Sequence, residues 1–149
     1  MKVLSKKLLS LIDAAHPVLA QVDEHASTEP ILTGGWSRKQ LLGHLIDSAS
    51  NNHQRFVRAS LQNSLNFPGY DQNGNVRAQA FQKASWPMLV SLWHSYNQFL
   101  AHVISHLPEA KLKTDCRIGA EAPVTLEFLA NDYVAHLSHH LQQMGVTAS

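Results

Sequence analysis

Apolar residues recur at intervals of three and four along four stretches of the chain, and helix-breaking residues fall between them. The first stretch runs from about Val3 to His25, with Leu4, Leu8, Leu11, Ile12, Ala15 and Leu19 at helical spacing and Pro17 placed to kink it. The second starts at Ser37, where Ser-Arg-Lys-Gln has the form of a capping box, and carries Leu41, Leu45, Ala49, Phe56 and Leu61. The third opens at Ser85 with Pro87 in its first turn, passes through Leu89, Trp93, Tyr96, Leu100, Val103 and Leu107, and is closed by Pro108. The fourth begins near Thr125 and runs through Leu129, Tyr133, Leu137, Leu141 and Met144 to Gly145, a natural C-terminal stop. Four amphipathic helices predict an all-α fold, a four-helix bundle.

The connections modify that picture. Helices two and three are separated by the turn-rich stretch NSLNFPGYDQNGNVRAQAFQKA, and helices three and four by PEAKLKTDCRIGAEAPV. Both are long for a small bundle. An extended stretch of about 20 residues reaches roughly 60 Å, further than the roughly 40 Å of a flanking helix, so a long crossover between helices two and three is able to set them parallel. No internal repeat, low-complexity tract or charge block divides the chain, which reads as one domain over residues 1–149.

Composition narrows the function classes. A length of 149 residues and 44% hydrophobic content suit one domain with one core. Twelve basic residues nearly cancel eleven acidic ones, which argues against a nucleic-acid partner. No run approaches the roughly 18 apolar residues of a membrane span. Cys116, the one cysteine, has no internal disulfide partner, and the start MKVLSKKLLSLIDAAH has Asp13 close behind a very short apolar run, unlike a secretory signal; the expected location is cytoplasmic. Ten histidines are the anomaly.

On the fourth helix His136 and His140 share a face, whereas His139 points away. At about 100° per residue, His140 lies about 50° and His136 about 90° from the centre of the apolar stripe, at the edge where a bundle builds metal sites from facing helices. The same placement suits polar residues that merely border the core. His102 and His106 repeat the spacing on the third helix but lie roughly 100° to 140° from its stripe, which reads as solvent-facing. His16, His25, His53 and His94 have no partner at ligand spacing. His44 lies on the second helix with Asp47, Ser48, Asn51 and Arg55 following on its face, away from Leu42, Ala49 and Phe56. This polar face reads either as solvated surface or as the lining of a cleft.

At these residues the sequence resembles the DinB-like (YfiT-like) family of four-helix-bundle proteins. The resemblance covers nearly the whole chain and rests on Gly-Trp-Ser-Arg-Lys-Gln-Leu-Leu-Gly-His-Leu-Ile-Asp-Ser at helix two, Phe-Pro-Gly-Tyr-Asp-Gln in the linker and Asp132-Tyr-Val-Ala-His136-Leu-Ser-His139-His140 near the end. It implies an up-down-down-up chain path, a homodimer, and one divalent metal held by His44, His136 and His140. The activities it implies are those of a metal-dependent hydrolase or of a thiol S-transferase, which joins low-molecular-weight thiols such as bacillithiol or mycothiol to electrophiles. A small-molecule substrate follows from either, and the family name carries no implication of DNA binding; the alternative is a non-catalytic metal-binding or dimeric interaction protein of the same fold.

Three neutral imidazoles would leave a dication with its full charge and an open position, the composition of a catalytic site. Water there is acidified towards neutrality, or a thiol is held as thiolate. Zn²⁺, Ni²⁺ and Fe²⁺ all suit imidazole. Asp47, one turn after His44, and Asp132, one turn before His136, are the candidate acceptors for the ligands' other N–H groups or the candidate general bases. Tyr70, Asp71 and Gln72 are placed either to cover the site or to form an ordinary turn. Trp36, Trp86 and Trp93 read as core, and Cys116 as structural. Other templates fail: there is no Gly-x-Ser-x-Gly elbow and no His-Glu-x-x-His, and Gly34-Gly35-Trp36-Ser37 lacks the spacing and lysine of a phosphate loop.

Overall fold

The computed structural model describes residues 1–32 and 35–146, so Gly34 lies outside the described residues. Helix α1 (Lys2–Ala20) stops three residues after Pro17, and a separate short α2 (Glu24–Thr28) follows. The single helix expected up to His25 is thus two, because the Asp23 carboxylate accepts the Ala26 amide at 2.7 Å and restarts the helix at that point. Helix α3 (Arg38–Leu61) begins at the expected capping box: Ser37 Oγ accepts the Gln40 amide at 3.2 Å while Gln40 Oε1 accepts that of Ser37 at 3.0 Å. Helix α4 (Gln72–Ala78) lies in the long linker, α5 (Trp86–Ser105) opens with Pro87, and α6 (Leu126–Gln143) is capped by the Thr125 hydroxyl.

The all-α expectation is corrected by a small sheet. Strands β1 (Ser64–Phe67) and β2 (Asp115–Ile118) pair in parallel from Ser64↔Asp115 to Phe67↔Ile118, and β3 (Val124–Thr125) adds antiparallel to β2. Each of the first two strands turns one fully buried residue to the core, Leu65 and Cys116. Four-residue alternations inside linkers carry little periodic signal, and the partner that makes each one a strand lies a third of the chain away. Together with α4 and 3₁₀ turns at Phe81–Lys83 and Glu109–Lys111, the sheet fills connections that read as turns.

Helices α1 and α3 each pack on both α5 and α6. Ser5 Oγ donates to the Ala101 carbonyl at 2.7 Å and Trp86 Nε1 to the Leu19 carbonyl at 2.8 Å, so the start of α1 lies beside the end of α5 and its end beside the start of α5. Leu8, Ile12, Leu42, Leu45, Phe56, Trp93, Leu100 and Leu137 fill the interior. Trp86 and Trp93 are core as expected, and Trp36 is half-buried at its edge. One polar pair lies inside: the Tyr133 hydroxyl donates to Asn97 Oδ1, and Asn97 Nδ2 donates to the Trp93 carbonyl at 2.8 Å. At the end where α3 and α5 begin, the Glu24 carboxylate bridges the buried Lys39 ammonium and the Trp86 amide, which it accepts at 2.9 Å. The Lys39 hydrogen bond and then that amide hold the Glu24 carboxyl below the usual range.

Gly43 faces the Phe81 ring so closely that an added Cβ would overlap it. Gly43→Ala should lower the unfolding free energy by about 1–3 kcal/mol through overpacking, although alanine raises helix propensity by about 1 kcal/mol. In a Phe81→Ala background the same substitution should be neutral or stabilising. Urea denaturation of the four proteins checks both; stabilisation in the parent background would show that the ring is not what restricts this position.

Candidate metal centre

Helix α3 presents His44 to α6 because Leu42 and Leu45 on either side of it are core residues, and the helix cannot rotate without exposing them. His44 is only 1% exposed and its ring lies 5.2 Å from the Trp36 ring. Opposite, Leu137 and Leu141 bury α6 in register, so that His136 and His140, one turn apart, project along its edge. The three rings converge: His44 Nε2 lies 3.2 Å and His140 Nε2 3.1 Å from His136 Nε2. Two nitrogens bound to one ion at 2.0–2.1 Å are separated by about 2.9 Å at octahedral and about 3.4 Å at tetrahedral angles, so these separations suit a shared metal. The three imidazoles form a group able to hold a metal among the described residues.

Burial, followed by the neighbouring His140, pushes the His44 imidazole down to about 4. Burial and then His140 and His44 push that of His136 down to about 4 as well. His140 is lowered by burial too, against a hydrogen bond to Gln143 that raises it. All three are therefore neutral near pH 7, the protonation state that donates to a metal.

On the far side of the rings, His140 Nδ1 lies 2.7 Å from Gln143 Oε1, whereas Nδ1 of His44 and of His136 are buried without a partner among the described residues. Neither Asp47 nor Asp132 is hydrogen-bonded to a histidine among the described residues. Asp47 Oδ1 accepts the Gln79 side-chain amide at 2.7 Å and its Oδ2 is buried and unpartnered; Asp132 is exposed on the wall of a cleft. That cleft, about 500 Å³, runs from His136 along Ser48, Asn52 and Arg55 of α3, and its opposite wall includes Tyr70 and residues 118–122 beyond β2. Burial, then the nearby Asp47, raises the Tyr70 hydroxyl pKa. Gln72 also lines the cleft, and Asp71 sits at the start of α4.

The polar face of α3 is therefore a cleft lining and not open surface: Ser48 and Asn52 are buried with His44. His139, His102 and His106 are exposed, as their helical angles require, and His53 and His94 are bound elsewhere, to Tyr96 and Asp13. Cys116 is buried, and burial raises its thiol pKa, which fits a structural role. Gln143 and Gln79 were not anticipated. Gln143 stands three residues after His140, a spacing that would have revealed it; Gln79 arrives from the linker, where no local pattern points to Asp47.

The chain is similar to several known proteins. A protein of Bacillus pumilus (strain SAFR-032) named "Putative metal-dependent hydrolase" is 28% identical over 127 residues, covering 83% of this chain and 71% of that protein. Among solved structures, YfiT from Bacillus subtilis, described as a probable metal-dependent hydrolase with an unusual four-helix bundle topology, superposes with a TM-score of 0.84 at 19% identity, covering 95% of this chain and 82% of that one. The mycothiol-dependent maleylpyruvate isomerase superposes at 0.76 with 15% identity, covering 98% of this chain but only 62% of that one. These two likenesses establish the shared fold. The model of the DinB superfamily matches residues 8–144, nearly the entire sequence, and the chain belongs to that superfamily.

Proposed function

We propose that His44, His136 and His140 hold one divalent transition metal ion, Zn²⁺, Ni²⁺ or Fe²⁺, and that the protein is a metal-dependent enzyme acting on a small molecule bound in the adjoining cleft. The observation that carries this reading is the convergence of three neutral, mostly buried imidazole nitrogens 3.1 and 3.2 Å apart at the head of that cleft. When bound, the ion supplies Lewis acidity at an open position, which lowers the pKa of water or of a thiol. Hydrolysis or thiol transfer is the reaction class; the name of the Bacillus pumilus relative favours the first and the isomerase with the same fold the second.

The chain's own residues take three roles in this proposal. The imidazoles bind and, held by α3 and α6, fix the donor geometry before the ion arrives. Asp132, on the cleft wall one turn from His136, accepts the proton of the attacking water or thiol. Asp47, with one oxygen held by Gln79 and the other unpartnered among the described residues, is the second candidate acceptor. The up-down-down-up path belongs to the same proposal; it is supported by the α1 and α5 end contacts and by the parallel β1–β2 pair, which follows α3 and α5 at one end of the bundle. A homodimer in solution completes it.

Elemental analysis of tag-free protein should find about one transition metal per chain, retained in His102→Ala and reduced at least tenfold in affinity in His44→Ala, His136→Ala and His140→Ala. Full occupancy in His136→Ala would refute the ligand set. Acid sensitivity supplies a second check. The folded chain keeps His44 and His136 neutral down to about pH 4, whereas free imidazoles protonate near 6.5. Between those values the unfolded chain binds more protons, so the metal-free protein loses stability as pH falls from 6.5 towards 4, and His136→Gln should flatten that fall. Urea midpoints of chelator-treated protein at pH 7, 5.5 and 4.5 measure it; parallel lines for both proteins would contradict the assignment.

A further inference from the structure

Arg55 is a cation in the cleft with no anion in contact among the described residues. It follows His44 on one face of α3 through Ser48 and Asn52, and all three residues line the cleft. The other cations near carboxylates are engaged: Lys39 with Glu24 and Lys113 with Glu127. Around Arg55 the described residues offer only Nη1 donating to Asn52 Oδ1 at 3.4 Å and the Phe67 ring, whose centre lies 5.3 Å from the guanidinium carbon. Its Nε–H is buried without a partner. Tyr70, Glu121 and Asp132 face it across the cleft, none of them within ion-pair distance. Burial lowers its pKa from the ordinary value, against the weaker opposing influence of Tyr70, Glu121 and Asp132.

A partly desolvated guanidinium with an unpartnered N–H is costly unless something pairs with it, and its planar fork fits a carboxylate with two parallel hydrogen bonds. The Phe67 ring flanks the guanidinium without supplying a hydrogen-bond acceptor. Two carboxylates nearby favour a singly charged partner over a phosphate dianion. The Cα atoms of His44 and Arg55 are eleven residues and so about 16 Å apart along the helix. The arginine side chain leans back towards the N-terminus, as its bond to Asn52 requires, which brings the guanidinium to about 10 Å from the histidine level.

We propose that Arg55 anchors an anion subsite, and that the substrate is a small molecule carrying a carboxylate about 10 Å from the atom that reacts at the three-histidine centre. The subsite rests on the metal-enzyme reading for the identity of the reacting end, but its anion chemistry stands on Arg55 alone.

Zinc-loaded protein titrated calorimetrically with 6-mercaptohexanoate and with 6-mercaptohexanol tests it. The acid should bind at least tenfold more tightly than the alcohol. Arg55→Met should remove that difference while leaving alcohol affinity and zinc content unchanged, and Arg55→Lys should retain part of it. Equal affinities on the parent protein would overturn the subsite. The arm that does not need metal follows the Arg55 Nε–H resonance of chelator-treated protein, assigned by its loss in Arg55→Lys, during titration with hexanoate, hexanol and hexyl phosphate. A saturable shift with hexanoate alone supports the subsite even where no metal binds, so the two readings fail separately. No shift with either anion would refute it, and a tighter response to hexyl phosphate would replace the carboxylate by a phosphate ester. Should Arg55→Met fail to fold, the comparison of acid with alcohol on the parent chain still decides.

Discussion

Burying three imidazoles between two packed helices constrains everything around them. A buried polar ring costs free energy unless its nitrogens are satisfied, and here three ring nitrogens are turned towards one another instead of towards water. That arrangement exists only while α3 and α6 keep their rotation and register, which depend on Leu42, Leu45, Leu137 and Leu141 filling the core behind them. The hydrophobic stripe thus does two jobs: it drives the bundle together, and it sets where polar residues at its edge must point. The internal Tyr133–Asn97 pair pins α6 to α5 one turn before His136, and so defends the same register from the other side.

A second fixed point lies at the end of the bundle where α3 and α5 begin. Glu24, on a helix of only five residues, ties a lysine of α3 to the first amide of α5. Helix starts carry unsatisfied N–H groups and a partial positive charge, so a carboxylate there both caps and attracts. Ser85 makes no side-chain cap of its own for α5, and Glu24 takes its place across 62 positions of sequence. The histidine cluster sits within a few turns of this tie.

How far the sequence disclosed this structure follows from the range of each signal. Helix periodicity and the Ser37 capping box are local, and both are found where the residues put them. The i,i+4 histidine pair is equally local, and the identical pair at His102 and His106 was separated from it by the angle each makes with its apolar stripe. His44 joins through a tertiary contact 92 residues away, which the resemblance supplied and spacing could not. The strands failed to register because Leu65 and Cys116 become strand residues only on meeting each other. The break between α1 and α2 was missed because the apolar rhythm continues across Asp23, while one carboxylate-to-amide bond decides the boundary. Local chemistry was readable; chemistry assembled from distant segments was not.

The small sheet has a bearing on how such a protein diversifies. The three histidines are carried on α3 and α6, whereas one wall of the cleft hangs from a parallel pair of four-residue strands and the segments that leave them. Loops at strand ends tolerate exchange and insertion far better than packed helices do. Selection is able to reshape that wall without disturbing the histidine cluster, because the two are written in different parts of the chain. A scaffold so divided can keep its histidine cluster through long evolutionary drift while the facing wall changes, and sequence identity among its descendants would fall fastest there.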